Sequence, residues 1–297
     1  MTNQANSPMP LRRALGKSLD GALQWRLWLL WIAATLLCTL IAALPVWTWL
    51  SALLSHSVHA YGIASGNAPM LLLEAAMARH APLPLLMGNM LLGGVLMLLL
   101  SPWLAAAAAT ASRAPTRLGF GDLMRGGVAD YGPMLRMLLW SAIPLGLALL
   151  VMSLILNGNE KAHEHAVVAS EESFGRSIGL VVGAVLFVLA HAGVEAGRGW
   201  LAADGRLRSA LKAWWRGMVL LRRRPLAVLS VYLVPTILAL GVAALLLMLR
   251  PHVGGASVVG FVAAWLLTCA VTAALAWGRI ARLFGMQALA ADMHARR

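Results

Sequence analysis

The sequence predicts an all-α polytopic membrane protein: six transmembrane helices in three hairpins, each hairpin preceded by a short interfacial helix on the cytoplasmic side. Three observations predict it. Of 297 residues, 60% are hydrophobic and only 12% charged, with a mean hydropathy of +0.77. Soluble domains carry about 25% charged residues, so this chain has too little polar surface to cover a globule in water, and it is far too apolar to be disordered. Six apolar stretches reach the roughly 20 residues that a helix needs to cross the hydrocarbon. Finally, the basic residues collect on alternate loops.

The stretches are Leu27–Leu54, Leu85–Ala111, Met137–Leu156, Ile178–Gly197, Leu226–Leu249 and Val253–Trp277. Glu195 is the only formally charged residue within them. The first exceeds a signal-peptide core in length and no cleavage site follows it, so it is expected to be a retained span. The whole chain, 1–297, is expected to form a single membrane domain with residues 1–10 as a disordered tail.

Orientation follows from the loops. Of the 24 Lys and Arg residues, only Arg79, Lys161, Arg176 and Arg250 lie on one side of the spans; the other twenty lie on the side that holds both termini. Short cytoplasmic loops accumulate Lys and Arg, which predicts cytoplasmic termini and a bacterial inner-membrane location. The formal charge of +13 is explained in the same way. A nucleic-acid groove would need those charges in one patch, whereas they occur in short clusters between apolar runs. Cys38 and Cys269 both fall inside apolar runs, which supports neither a structural disulfide nor a zinc site.

A basic amphipathic segment precedes each odd-numbered span. In the clearest, Arg208 to Leu221, the residues Leu211, Trp214, Trp215, Met218 and Leu221 recur at helical spacing while Lys212 and Arg216 face elsewhere. Such a helix lies in the interface with Trp at headgroup depth and cations near anionic lipid, so Lys212, Trp214, Trp215 and Arg216 are candidate headgroup ligands. Phe120–Arg125 and Leu11–Leu23 are weaker copies. A small-residue stretch ending in Arg follows each even span, at Arg113, Arg198 and Arg279. Pro45, Pro102, Pro144 and Pro235 should kink or locally open their helices.

The stretch Leu99-Leu100-Ser101-Pro102-Trp103-Leu104, then Leu118-Gly119-Phe120-Gly121 and Gly126-Gly127, carries a family resemblance. So does Ser209-Ala210-Leu211-Lys212-Ala213-Trp214-Trp215-Arg216 followed by Arg224-Pro225-Leu226. Across roughly residues 95–245 the chain resembles the YciC-type bacterial polytopic inner-membrane proteins and the membrane domain fused to some glycerophosphodiester phosphodiesterases. The resemblance implies a six-helix membrane fold and brings no activity that can be assigned to residues here.

His191, Glu195 and Arg198 are the most informative side chains. At 100° per residue they fall within about 60° of one another on the fourth span. Gly175, Gly179, Gly183, Ala190, Gly193 and Gly197 mostly line the opposite side, and small residues at such spacing let helices approach closely. An intramembrane acid is a functional candidate by default. Near the helix end, however, Glu195 is expected first of all to pair with Arg198, and alternatively to serve a proton or substrate. His56/His59 and His163/His165 have spacings a metal could use, but no single stretch supplies three ligands. The segment from Asn67 to His80 reads as a short external helix with Asn67 as its cap.

No Walker A loop, HExxH or Gly-x-Ser-x-Gly elbow occurs. No cofactor is implied. The expected function is therefore a non-catalytic inner-membrane scaffold or accessory subunit in envelope or lipid homeostasis. Its expected partners are membrane lipids, chiefly anionic headgroups, and a protein partner or a second copy, with no nucleic acid. The alternative is a transporter or permease with a polar path near Glu195.

Overall fold

The computed structural model of the chain describes residues 8–64, 69–78, 81–162, 169–253 and 257–296, and every regular element among them is helical. Six helices are long and apolar enough to cross a membrane: α2 (Trp25–Leu54), α5 (Leu83–Arg113), α7 (Tyr131–Ala162), α8 (Ala169–Ala203), α10 (Pro225–Leu249) and α11 (Val258–His294). Three shorter helices precede the odd-numbered spans: α1 (Leu11–Gly21), α6 (Phe120–Ala129) and α9 (Ala210–Arg223). Two more, α3 (Ala60–Ala64) and α4 (Pro69–Met77), lie in the loop between the first two spans. The expected cap of α4, Asn67, lies outside the described residues.

The last span differs most from its expected bounds. It begins at Val258 rather than Val253, and its helix runs on past Trp277 to His294. Hydropathy falls at Arg279 and Arg282, but Ile280, Leu283, Phe284, Met286 and Leu289 keep an apolar stripe going, and all five are buried. An amphipathic stripe thus extends the helix where the lipid-facing pattern stops. Each of the four span prolines sits inside an uninterrupted helix.

The chain divides into two compact units. One comprises residues 22–104 and 234–280, the other residues 1–21, 105–233 and 281–297. In the first, Gly93 of α5 lies against Ala42 and the Cys38 carbonyl of α2, and Gly278 of α11 lies against Ala239 and the Pro235 carbonyl of α10. Arg279 places its guanidinium over the Trp31 ring, 5.3 Å from the centroid.

The second unit holds α1, α6, α7, α8 and α9 whole, with the adjoining ends of α5, α10 and α11. Here α7 and α8 form an antiparallel hairpin. Asn159 meets Gly175, Ile155 and Leu156 meet Gly179, and Met152 meets Gly183. Beyond that hairpin the same small-residue stripe continues, but its partner changes. Gly193 and Gly197 receive α9, whose Gly217 sits so close that a Cβ there would lie 2.5 Å from the Gly197 nitrogen and 2.7 Å from the Gly193 carbonyl. The stripe therefore serves two helices in turn. α9 is capped by Ser209, whose hydroxyl accepts from the Lys212 N–H at 3.4 Å. It buries Ala210, Ala213, Gly217, Leu220 and Leu221. The core of this unit gathers Ala192 and Ala196 of α8, Leu220 of α9, Val228, Val231 and Tyr232 of α10, and Met286 and Leu289 of α11.

Candidate functional site

The polar residues expected on the fourth span meet in this core. Glu195 is buried, with 6% of its surface exposed. Its Oε1 accepts from Arg198 Nη1 at 2.8 Å and lies 3.7 Å from His191 Nε2. The other ring nitrogen of His191, Nδ1, is 2.6 Å from the Tyr232 hydroxyl on α10. Tyr232 in turn carries the Arg282 guanidinium over its ring, 5.5 Å from the centroid, a distance at which a cation is attracted to the ring face. Phe187, one turn before His191, stacks on the imidazole at 6.1 Å and 13°. Three helices thus contribute to one chain of groups: Arg282, Tyr232, His191, Glu195, Arg198.

The protonation pattern that satisfies this chain has the Tyr232 O–H donating to Nδ1. Nε2–H then points at the carboxylate, and Arg198 closes the far side with a charge-assisted hydrogen bond. At 3.7 Å the His–Glu contact is electrostatic rather than a hydrogen bond. A buried carboxylate is tolerable only when paired and hydrogen-bonded, and Arg198 at i+3 meets that need locally, as the sequence spacing suggested. Tyr232 and Arg282 escaped the sequence reading. A lone tyrosine in the otherwise apolar run of α10 was the available signal, because a phenol in hydrocarbon needs a partner.

Further ion pairs lie in the same unit. Asp204, just after α8, accepts from Arg216 of α9 at 3.0 Å and from the Arg206 N–H at 3.1 Å. Arg216 also lies over the buried Trp200 ring, at 5.3 Å, and His294 meets that ring edge-on at 6.0 Å. Asp292 of α11 accepts from Arg224, from Arg296 and from the Met9 N–H, and Arg224 returns a bond to the Met9 carbonyl. Arg113 pairs with Asp130. The described part of the expected N-terminal tail, residues 8–10, is therefore pinned at Met9. Burial raises the Asp204 carboxyl, but the Arg216 hydrogen bond, the Arg206 N–H and the positive charges of His294 and Arg216 outweigh it and hold the group below its ordinary value.

The four headgroup candidates on α9 separate by environment. Leu211 and Trp215 are exposed, at 52% and 64%, and Lys212 is exposed beside them. Trp214 is turned inward, edge-on to Trp140 at 5.8 Å, and Arg216 is engaged by Asp204. His56 and His59 are exposed near the end of α2, while His163 and His165 lie outside the described residues. Among the described residues no three His, Cys, Asp or Glu side chains come together as a metal set.

These features define a multi-pass α-helical membrane protein that carries a cluster of buried and half-buried charged groups in one of its two compact units. No protein-family model, curated protein or solved structure matches the chain.

Proposed function

We propose that this protein is a non-catalytic scaffold or accessory subunit of the bacterial inner membrane, with both termini cytoplasmic, acting in envelope or lipid homeostasis through contact with anionic lipid. Kinship with the YciC-type membrane proteins is part of the same proposal. The observation that carries it is the docking of α9. Its small-residue face is locked into the α8 glycine stripe by the approach at Gly217, which leaves Leu211, Lys212 and Trp215 directed outward. An aromatic, an aliphatic and a cation on one rigid exposed face suit the headgroup layer of an anionic leaflet.

The test compares lipid retention by the purified protein in native mass spectra. Each basic group near an anionic surface contributes about 1 kcal/mol, so Lys212→Glu combined with Trp215→Ala should reduce retained phosphatidylglycerol roughly tenfold. Unchanged retention would refute the lipid-contact reading. The link from Tyr232 through His191 to Glu195 favours one alternative, a proton-coupled transporter with its path at that chain. Under that reading Glu195→Gln would abolish transport while leaving the fold intact.

A further inference from the structure

The second unit also contains an open cleft of about 660 Å³ between α1, the end of α5 and the extended tail of α11. Its walls are fixed by direct contacts. Ser18 of α1 is buried and donates to the Ala281 carbonyl at 2.6 Å. Gly285 lies against Ser18, with room for no Cβ, and Gly21 lies equally close to the Phe284 ring, so α1 is seated tightly on α11. At the other end Asp292 is held by Arg224, Arg296 and the Met9 N–H. The cleft is a built feature rather than a gap between loosely placed helices.

Its lining combines opposite charges with apolar surface. Lys17 and Asp20 line it from α1, Gln287 and Phe284 from α11, and Ser112 from α5. Lys17 and Asp20 are three residues apart, neighbours on one helix face, and both are exposed. Among the described residues neither has an ion-pair partner, and they do not pair with each other. The other carboxylate in the wall, Asp292, is already neutralised by two arginines. One cation and one anion, side by side and both uncommitted, thus face a partly apolar cleft. α1 ends only a few residues before the span that starts at Trp25, Ser112 lies at the end of the span in α5, and the α11 tail follows Trp277. All three segments adjoin or end helices that are long and apolar enough to cross a membrane.

We infer that this cleft binds a zwitterionic phosphoethanolamine group, with its phosphate on Lys17 and its ammonium on Asp20. A purely anionic headgroup satisfies Lys17 but meets repulsion from Asp20. A phosphocholine has no N–H to donate to the carboxylate. Phosphoethanolamine supplies an acceptor and a donor with opposite charges a two-carbon link apart, and Phe284 with its alanine neighbours receives the glycerol end. The inference rests on the membrane placement proposed above but not on the α9 face, so either can fail without the other.

The full-length protein is placed in nanodiscs or kept in detergent and titrated with phosphatidylethanolamine, phosphatidylglycerol and phosphatidylcholine, reading bound lipid by native mass spectrometry. A parallel titration uses soluble glycerophosphoethanolamine. Wild type should prefer the ethanolamine lipid, and Asp20→Asn should weaken it about tenfold, the loss of one charge-assisted hydrogen bond. The same variant should gain phosphatidylglycerol, because the repulsion is gone. Lys17→Gln should weaken both. Competition by the soluble compound would identify a free phosphoester as the source, and binding of the lipid alone would identify the membrane. Both side chains are exposed, so the variants should melt as wild type does. The Lys17→Asp/Asp20→Lys exchange, which keeps the net charge, should recover part of the preference. Equal binding of all three lipids, or an ethanolamine preference unmoved by Asp20→Asn, would overturn the inference.

Discussion

Replacing Glu195 separates a structural role from a proton-carrying one, and the geometry sets the size of the effect. The carboxylate is almost wholly buried and holds Arg198 at 2.8 Å. Removing one member of a buried pair costs about 3–5 kcal/mol, because the other charge is left without its partner. The Arg198 side chain keeps 21% exposure and can turn toward water or headgroups, which places Glu195→Leu near the lower end, about 3 kcal/mol. Glu195→Gln keeps an acceptor for Arg198 and loses only the charge-assisted part, about 1–2 kcal/mol. For a chain of this length 1 kcal/mol moves the midpoint by roughly 2 °C. Thermal unfolding in detergent, followed by tryptophan fluorescence, should therefore fall by about 6 °C for Leu and about 2–4 °C for Gln. Arg198→Met alone should resemble Glu195→Leu, and the double variant should cost less than the sum of the two, since the pair acts as a unit. Equal melting temperatures for wild type, Gln and Leu would refute the structural role.

Two further predictions come from neighbouring contacts. Gly217→Leu places a side chain where α8 backbone atoms lie within 2.5–2.7 Å of the first added carbon; α9 should be displaced, with a lower melting temperature and new proteolysis near Ser209, and unchanged protection would contradict the docking. For Asp204, the folded-state carboxyl titrates below the ordinary 3.8. Its contribution to stability is therefore fully present above that value and lost as pH falls below it through the folded value. Wild type should be more stable than Asp204→Asn at neutral pH and converge with it at strongly acid pH, and a gap that stays constant would refute the assignment.

The fold was legible because lipid imposes it. Backbone groups without water must be satisfied within a helix, so apolar runs of sufficient length specify the spans almost alone. The α8 glycine stripe and the local Glu195–Arg198 pair were legible for a similar reason, since both depend on spacing along one helix. Tyr232 and Arg282 were not, because Tyr232 reaches His191 and Arg282 reaches Tyr232 from other helices, and nothing in their own segments fixes which helix faces them. The continuation of α11 past Arg279 was hidden by those arginines, which end a hydropathy run without ending an amphipathic helix. α9 was legible as amphipathic, yet the sequence did not distinguish the cation spent on Asp204, Arg216, from the exposed one, Lys212. A single helix face carries both a packing requirement and a solvent requirement, and only the neighbour decides between them.

Both lipid assignments follow from which side of the membrane holds the basic helix ends. In a variant with Cys38 and Cys269 replaced by Ala, single cysteines at Ser57, Lys161, Arg117 and Gly205 are treated in intact cells with a membrane-impermeant thiol reagent. Labelling of positions 57 and 161, with 117 and 205 reacting only after the cells are broken, is the predicted result. Labelling of 117 and 205 in intact cells, with 57 and 161 protected, would contradict the cytoplasmic placement of α9 and of the cleft together.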